Sequence, residues 1–226
     1  LSEQNRELEI QKNQLREANR LKTNFLSNMS HELRTPLNSV IALSGVLNRR
    51  LANKISEDEF SYIGVIERNG KHLLSLINDI LDISRIESGR EEVEITKFNP
   101  KSLVAEVTSM IKPQVDPQKL ELIQTGDSGE LYLISDMHKC QHILQNLISN
   151  AIKFTEKGTV EIKTTQVKNQ IIISVTDSGI GVSADHLPHI FDEFRQADGS
   201  TSRKYGGTGL GLAIAKKYAN LLGGNI

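Results

Sequence analysis

Apolar and polar positions recur with a heptad period over roughly the first fifty residues. Counted from Leu1, the d positions are Leu1, Leu8, Leu15, Lys22, Met29, Pro36 and Leu43, and the a positions are Asn5, Lys12, Asn19, Leu26, Leu33, Val40 and Leu47. The a positions are polar in the first half and apolar in the second. Polar residues at a weaken a coiled coil but specify its register and strand number. The pattern predicts a signalling coiled coil over residues 1–22 that runs into a tighter helical bundle; a plain exposed amphipathic helix is the simpler alternative. His31 falls at f in this register, away from the seam, with Glu32 beside it and Arg34 and Thr35 within about one turn. Pro36 removes a backbone donor and crowds the preceding turn, which predicts a bend just after His31.

A second helix is announced by Ser56 and Glu59, a capping-box pair. Phe60, Ile63, Ile66, Leu73, Leu74, Ile77, Ile80, Leu81 and Ile86 then recur at helical spacing, and Gly89 supplies a C-terminal stop. The short polar link around Asn53 to Asp58 predicts an antiparallel hairpin. One hairpin cannot enclose so much apolar surface, whereas two hairpins from two copies can, so residues 23–89 are expected to form a dimeric four-helix bundle.

Beyond Gly89 the pattern changes to an α/β alternation over residues 90–226. Strands are expected at Val93–Ile95, Leu120–Gln124, Leu131–Ile134, Thr159–Gln166 and Gln170–Thr176. Helices are expected from Asn99-Pro100 to about Lys112, from an Asp136 cap to about Thr155, and from about Gly209 to Leu222. The chain is thus α+β and multi-domain: coiled coil, helical hairpin, then an α/β sandwich with a mixed sheet.

Composition narrows the chemistry. The net charge is −1, so no global field favours nucleic acid or an anionic membrane, and the absence of tryptophan weakens base stacking further. Cys140 is the only cysteine, which rules out an intrachain disulfide and fits a small buried hydrophobe. No stretch is apolar enough to span a bilayer. The expected setting is cytoplasmic, without membrane contact by these residues. The chain opens in mid-helix without Met, so a sensor domain or membrane anchor is expected upstream.

Four constellations carry candidate chemistry. Asn146, Asn150 and Lys153 share one helix face; a carboxamide oxygen suits Mg²⁺ and an ammonium suits phosphate, although a polar solvent face is the bland reading. Asp177-Ser-Gly179-Ile-Gly181 follows an apolar strand. Its carboxylate can accept a hydrogen bond from an adenine amine, and the same residues would also make a plain tight turn. Val182 to Tyr205 is too long for an ordinary connection and reads as a lid, with Phe191 and Phe194 to pin it and Arg203 and Lys204 to reach phosphate. Gly206, Gly207, Thr208, Gly209, Leu210 and Gly211 open the last helix, where unpaired N–H groups bind phosphate, unless the glycines are only a flexible turn. No Gly-Lys-Ser/Thr follows, so this is not a P-loop.

Taken together, the motifs resemble one family. Phe25-Leu-Ser-Asn-Met-Ser-His31-Glu-Leu-Arg-Thr-Pro-Leu37 is similar to the phosphoacceptor box of sensor histidine kinases. Asn146 to Thr155 resembles their asparagine box, and Asp177 to Gly181, Phe191 to Phe194 and Gly207 to Gly211 resemble their adenine, lid and phosphate boxes. The resemblance implies that His31 accepts phosphate from ATP, Glu32 takes its proton and Thr35 positions water for dephosphorylation of a partner. It implies that Asn150 ligates Mg²⁺, with Asn146 and Lys153 near the phosphates, and that Asp177 binds adenine in a pocket shaped by Gly179 and Gly181. Arg203, Lys204, Gly207, Thr208, Gly209, Leu210 and Gly211 then line the phosphate path. A homodimer and a response-regulator receiver domain are the implied partners. Gyrase- or chaperone-like ATPases share the nucleotide fold but carry a glutamate where Asn146 stands; a catalytically silent ATP-binding scaffold is the other alternative.

Overall fold

The computed structural model describes residues 2–52, 54–127, 129–195 and 207–226. It divides into two compact units, Leu1–Glu91 and Glu92–Ile226.

The first unit is a helical hairpin of α1 (Ser2–Leu51) and α2 (Glu57–Glu87). The expected bend at Pro36 does not break α1, which continues through it as one element. Proline deletes a single N–H, and at this exposed point the orphaned carbonyl of Glu32 can turn to water. The capping box at α2 forms in full: Ser56 accepts from Glu59 N–H and the Glu59 carboxylate accepts from Ser56 N–H. At the other end Gly89, at φ 65°, lets Gly89 N–H reach Ile86 O and Arg90 N–H reach Arg85 O, a Schellman closure.

Two faces of α1 do different work. The side turned to α2 is built from Thr23, Ser30, Leu37, Ile41, Ser44 and Asn48, most of them small or polar. Ser84 donates to Thr23 Oγ1 (3.3 Å), Thr23 donates to Asn19 O (2.9 Å), and Asn48 donates to Glu67 (2.9 Å). Gly70 on α2 lets the helices meet closely, because a Cβ there would lie 2.8 Å from Ile41 Cγ1. The apolar a/d stripe, by contrast, stays uncovered within one chain: Met29, Leu33, Val40, Leu43 and Leu47 are 40–63% exposed.

The second unit contains β1 (Thr96–Phe98), α3 (Pro100–Ile111), β2 (Leu120–Gly126), β3 (Leu133–Ser135), α4 (Met137–Phe154), β4 (Gly158–Val167), β5 (Gln170–Asp177) and α5 (Gly211–Leu221). The sheet is mixed, in the order β2-β4-β5, with β2 and β4 parallel and β4 and β5 antiparallel. A parallel pair needs a crossover, which β3 and α4 supply. The α+β class with a mixed sheet is therefore as expected. The strand expected at Val93–Ile95 forms three residues later, as β1, paired antiparallel with β3. Residues 93–95 are held differently, since Glu94 N–H is taken by the Asp136 carboxylate.

Leu103, Val104, Val107 and Ile111 of α3, Leu144, Ile148 and Ala151 of α4, Leu120 of β2 and Val160 and Ile162 of β4 form the core. Helical spacing on α3 and α4 and period-two spacing on β4 bring them to one side of the sheet. Asp136 caps α4, accepting from Lys139 N–H at 3.0 Å. Burial alone would push its carboxyl up, but hydrogen bonds from Lys139 N–H, Glu94 N–H and the Lys139 ammonium outweigh it and hold the group at about 2.

Two stability outcomes follow from this packing. Gly70→Val should lower the unfolding free energy by about 1–3 kcal/mol through overpacking against Ile41. Gly64→Ala should raise it by about 0.5–1 kcal/mol, because a Cβ there meets only the end of Arg68 and the helix gains propensity. Urea unfolding of both variants reads the opposite signs. The depressed carboxyl of Asp136 contributes stability that is whole above pH 3.8 and is lost as pH falls towards about 2. Asp136→Asn should therefore be less stable than wild type by about 1–2 kcal/mol at pH 7, with the gap in urea midpoints closing between pH 4 and 2.

Candidate functional site

The second unit gathers its candidate groups around α4. Its apolar side is committed to the core, so Asn146, Asn150 and Lys153 fall on the other side, half-buried. Opposite them runs the glycine segment that enters α5. A Cβ on Gly211 would lie 2.7 Å from Asn146 Oδ1, and one on Gly207 would lie 2.6 Å from Lys153 Nζ. At Gly211 a side chain would crowd the Asn146 carboxamide, whereas at Gly207, where the lysine tip can swing aside, it is the φ of 127° that calls for glycine.

The start of α5 is uncapped by its own N-cap residue, since Leu210 offers no side-chain acceptor; Thr208 Oγ1 accepts from Leu210 N–H at 3.1 Å. First-turn N–H groups of a helix lack intrahelical partners and sit at the positive end of its dipole. Asn146 Nδ2 is buried beside them without a hydrogen-bond partner among the described residues. Burial pushes the Lys153 ammonium below its usual pKa. A buried orphan donor, a desolvated cation and a helix start form a donor-rich recess whose natural complement is a multiply charged anion such as polyphosphate.

The turn after β5 is fastened to the far end of α4. Asp177 Oδ1 accepts from Gly179 N–H at 2.9 Å, and Ile180 N–H donates to Phe154 O at 3.2 Å. A Cβ on Gly179 would lie 2.3 Å from that carbonyl oxygen, whereas Gly181 is needed for its φ of 70°. The Asp177 carboxylate is solvent-exposed, so its second oxygen can accept from a planar amine. Ser178, which motif reasoning passed over, closes the turn by accepting from Thr159 N–H at 2.9 Å and donating to Thr159 O at 3.3 Å. A serine directly after a strand-ending aspartate was the available signal.

The described part of the lid segment packs on α5. Lys216 Nζ sits 4.6 Å above the Phe191 ring and Lys217 pairs with Glu193 at 3.0 Å. Phe194, expected to pin the lid as well, is 63% exposed and adopts φ 58°. Its backbone and that of Arg195 pack against Gly209. Arg203 and Lys204 lie outside the described residues. In the same segment His186 Nδ1 meets Ser183 Oγ at 2.7 Å and His189 Nδ1 meets Asp192 at 2.8 Å. Both pairs are local, at i, i+3, a spacing that turn formation brings together. Cys140 is half-buried, and burial pushes its thiol up.

On the hairpin, His31, Glu32 and Thr35 are all solvent-exposed on α1. Thr35 Oγ1 donates to His31 O at 3.4 Å, and Arg34 donates to Asn78 on α2 at 2.8 Å. Ser30, immediately before the histidine, is buried in the helix–helix seam. The packed side of the helix thus ends at Ser30, and His31 beside it is open to solvent.

Among the described residues no cluster of three or more His, Cys, Asp or Glu could hold a metal ion, and no helix is long and apolar enough to cross a membrane. A divalent cation arriving with a nucleotide would meet carboxamide oxygen here, a hard donor that suits Mg²⁺.

Known proteins place these observations. Residues 21–89 match the family model of the His Kinase A (phospho-acceptor) domain. Residues 135–226 match that of the histidine kinase-, DNA gyrase B- and HSP90-like ATPases. The sensor protein GacS of Pseudomonas syringae pv. syringae is 40% identical over 229 aligned positions, covering 99% of this chain and 25% of GacS. The signal transduction histidine-protein kinase BarA of Escherichia coli K12 shows the same identity and coverage, so the chain spans about a quarter of these relatives. Full-length ShkA, solved in complex with AMPPNP, is 31% identical and superposes with a TM-score of 0.73 over 88% of this chain and 41% of ShkA. A phospho-acceptor hairpin followed by a kinase-type ATPase unit, aligned end to end with sensor kinases at 40% identity, makes this chain a member of the sensor histidine kinases of two-component systems.

Proposed function

We propose that the chain transfers the γ-phosphate of ATP to its own His31 and then to an aspartate of a response-regulator receiver domain. The observation that carries the nucleotide half is the recess between α4 and α5. There, Asn146 Nδ2, buried and without a hydrogen-bond partner among the described residues, converges with the partly desolvated Lys153 ammonium and the start of α5. Phosphoryl transfer asks a protein mainly for positioning and charge neutralisation, and this recess offers both.

In this reading Asp177 accepts from the adenine amine, with Gly179 and Gly181 shaping the pocket. Gly207, Thr208, Gly209, Leu210 and Gly211 receive the phosphates with Asn146 and Lys153, and Arg203 and Lys204 add charge from the lid. Asn150 holds Mg²⁺, which supplies charge neutralisation at the phosphate oxygens. A ring nitrogen of neutral His31 attacks the γ-phosphorus, the bond to the bridging β–γ oxygen breaks, ADP departs, and Glu32 takes the imidazole proton. Thr35, one turn on, orients water in the reverse sense, dephosphorylating the partner receiver. The uncovered a/d stripe of α1 supports a homodimer, with two hairpins closing a four-helix bundle of residues 23–89, preceded by a coil over 1–22 and followed by a catalytic domain over 90–226. ATP and receiver partners place these residues on the cytoplasmic side, under the control of a sensor domain joined before them.

Incubation with γ-labelled ATP and Mg²⁺ should yield acid-labile, base-stable label on the protein. His31→Ala and Asn150→Ala should each abolish it; label surviving in the His31 variant would sink the assignment. Gly179→Ala, whose new Cβ collides with the Phe154 carbonyl, should weaken binding of a non-hydrolysable ATP analogue about tenfold or more by calorimetry, equivalent to about 1.4 kcal/mol.

A further inference from the structure

The chain joining hairpin to catalytic unit is held on both sides. Arg90 belongs to the hairpin: its N–H closes α2 on Arg85 O at 3.0 Å and its guanidinium donates to Asn24 at 2.8 Å. Glu92 belongs to the catalytic unit, where the Lys139 ammonium donates to its carbonyl at 2.5 Å. Two residues on, Glu94 N–H donates to Asp136 Oδ2 at 2.9 Å, and Lys139 Nζ meets the same oxygen at 2.9 Å. The Arg90 N–H is thus tied to α2 and the Glu92 carbonyl, two residues on, to α4.

This cluster is more than a surface ion pair. The Lys139 and Asp136 side chains are 11% and 3% exposed, so solvent screens them little. The ammonium also lies 5.9 Å above the ring of Tyr218, a residue of α5 that is 4% exposed and packs, tilted, at 5.4 Å against the ring of His142 of α4. One lysine therefore ties the linker to the two helices that carry the nucleotide groups.

We propose that Asp136 and Lys139 form a linker clamp, a pair of positioning residues that sets the length and exit direction of the tether between the phosphoacceptor hairpin and the nucleotide unit. The inference rests on the phosphoryl-transfer reading above. With the clamp closed, the Glu92 carbonyl and the Glu94 N–H are fixed to the start of α4. With it open, residues 92–94 are released, which lengthens the tether up to the last positions before β1. Effective concentration falls as a flexible tether lengthens, and in-line transfer is sensitive to displacements of about an ångström. Nucleotide affinity is a separate matter, because Asn146, Asn150 and Lys153 lie two to four turns further along α4.

Lys139→Met keeps the aliphatic stem over Tyr218 and removes the donor. At saturating ATP its first-order labelling of His31 should fall about tenfold or more, while KM for ATP stays within about twofold of wild type. Lys139→Arg should restore the rate, and inserting Gly-Gly after Glu91 in the otherwise wild-type chain should reproduce the defect. An unchanged rate in Lys139→Met, a KM that rises in step with the lost rate, or a silent insertion would overturn the clamp. Amide hydrogen exchange without nucleotide separates this failure from failure of the kinase reading. The Glu94 amide should be protected in wild type and exchange faster in Lys139→Met whether or not His31 is labelled; equal exchange in the two proteins would overturn the clamp alone.

Discussion

The catalytic unit depends on how the two ends of α4 are satisfied. A helix leaves four N–H groups and four carbonyls without intrahelical partners. At the start of α4, Asp136 takes Lys139 N–H and, through its other oxygen, ties in the incoming chain at Glu94. At its close, Thr155 Oγ1 donates to Ala151 O at 2.7 Å and the Phe154 carbonyl receives Ile180 N–H from the turn that carries Asp177. Between those ends Ile148 is fully buried and Leu144 nearly so, which leaves α4 no freedom to rotate. The orientation of Asn146, Asn150 and Lys153 follows from apolar packing behind them, and the place of the turn follows from a carbonyl that had to be satisfied.

Much of this was legible in residue pattern because it obeys local rules. Ser-x-x-Glu at α2, Asn-Pro at α3 and Asp136 at α4 are start signals whose chemistry acts within three residues, and each cap forms. The alternation Val160, Ile162, Thr164 marks β4 because a strand side repeats every second residue. β1 forms three residues beyond the alternating stretch for the complementary reason. Val93-Glu-Ile95 alternates like a strand, but its amide at Glu94 is claimed by an aspartate more than forty positions away, which no local pattern encodes.

The hairpin shows the same limit. A heptad count finds the leucine-rich a/d stripe and treats it as the seam, yet within one chain α2 covers the neighbouring face, where Thr23, Ser30, Ser44 and Asn48 sit. Hydrophobic periodicity on α1 misses such a face because α1 gives it mainly small or polar side chains, while α2 supplies buried aliphatic volume at Ile63, Ile77, Leu81 and Ile83. A helix that must contact two neighbours needs two stripes, and only one of them has to be greasy.

In the candidate site, residue type was more legible than relation. Motifs single out Asn146, Asp177 and Gly211, but only the fold shows that Gly211 is glycine because Asn146 Oδ1 occupies the space a side chain would need. Ser178 escaped notice because its partner, Thr159, lies on another strand. Such cross-element fits explain why the hairpin and the nucleotide unit can be built to different tolerances. The recess must hold several donors to within tenths of an ångström, so its groups stand on elements locked by a shared core. His31 needs access as well as geometry, since on the proposed reading it must meet a nucleotide and later a receiver domain. An exposed imidazole one residue beyond Ser30, which is packed into the hairpin, meets both demands. On the same reading, accuracy in the transfer depends on how the linker is held, and the proposed clamp of Asp136 and Lys139 is a simple physical means of holding it.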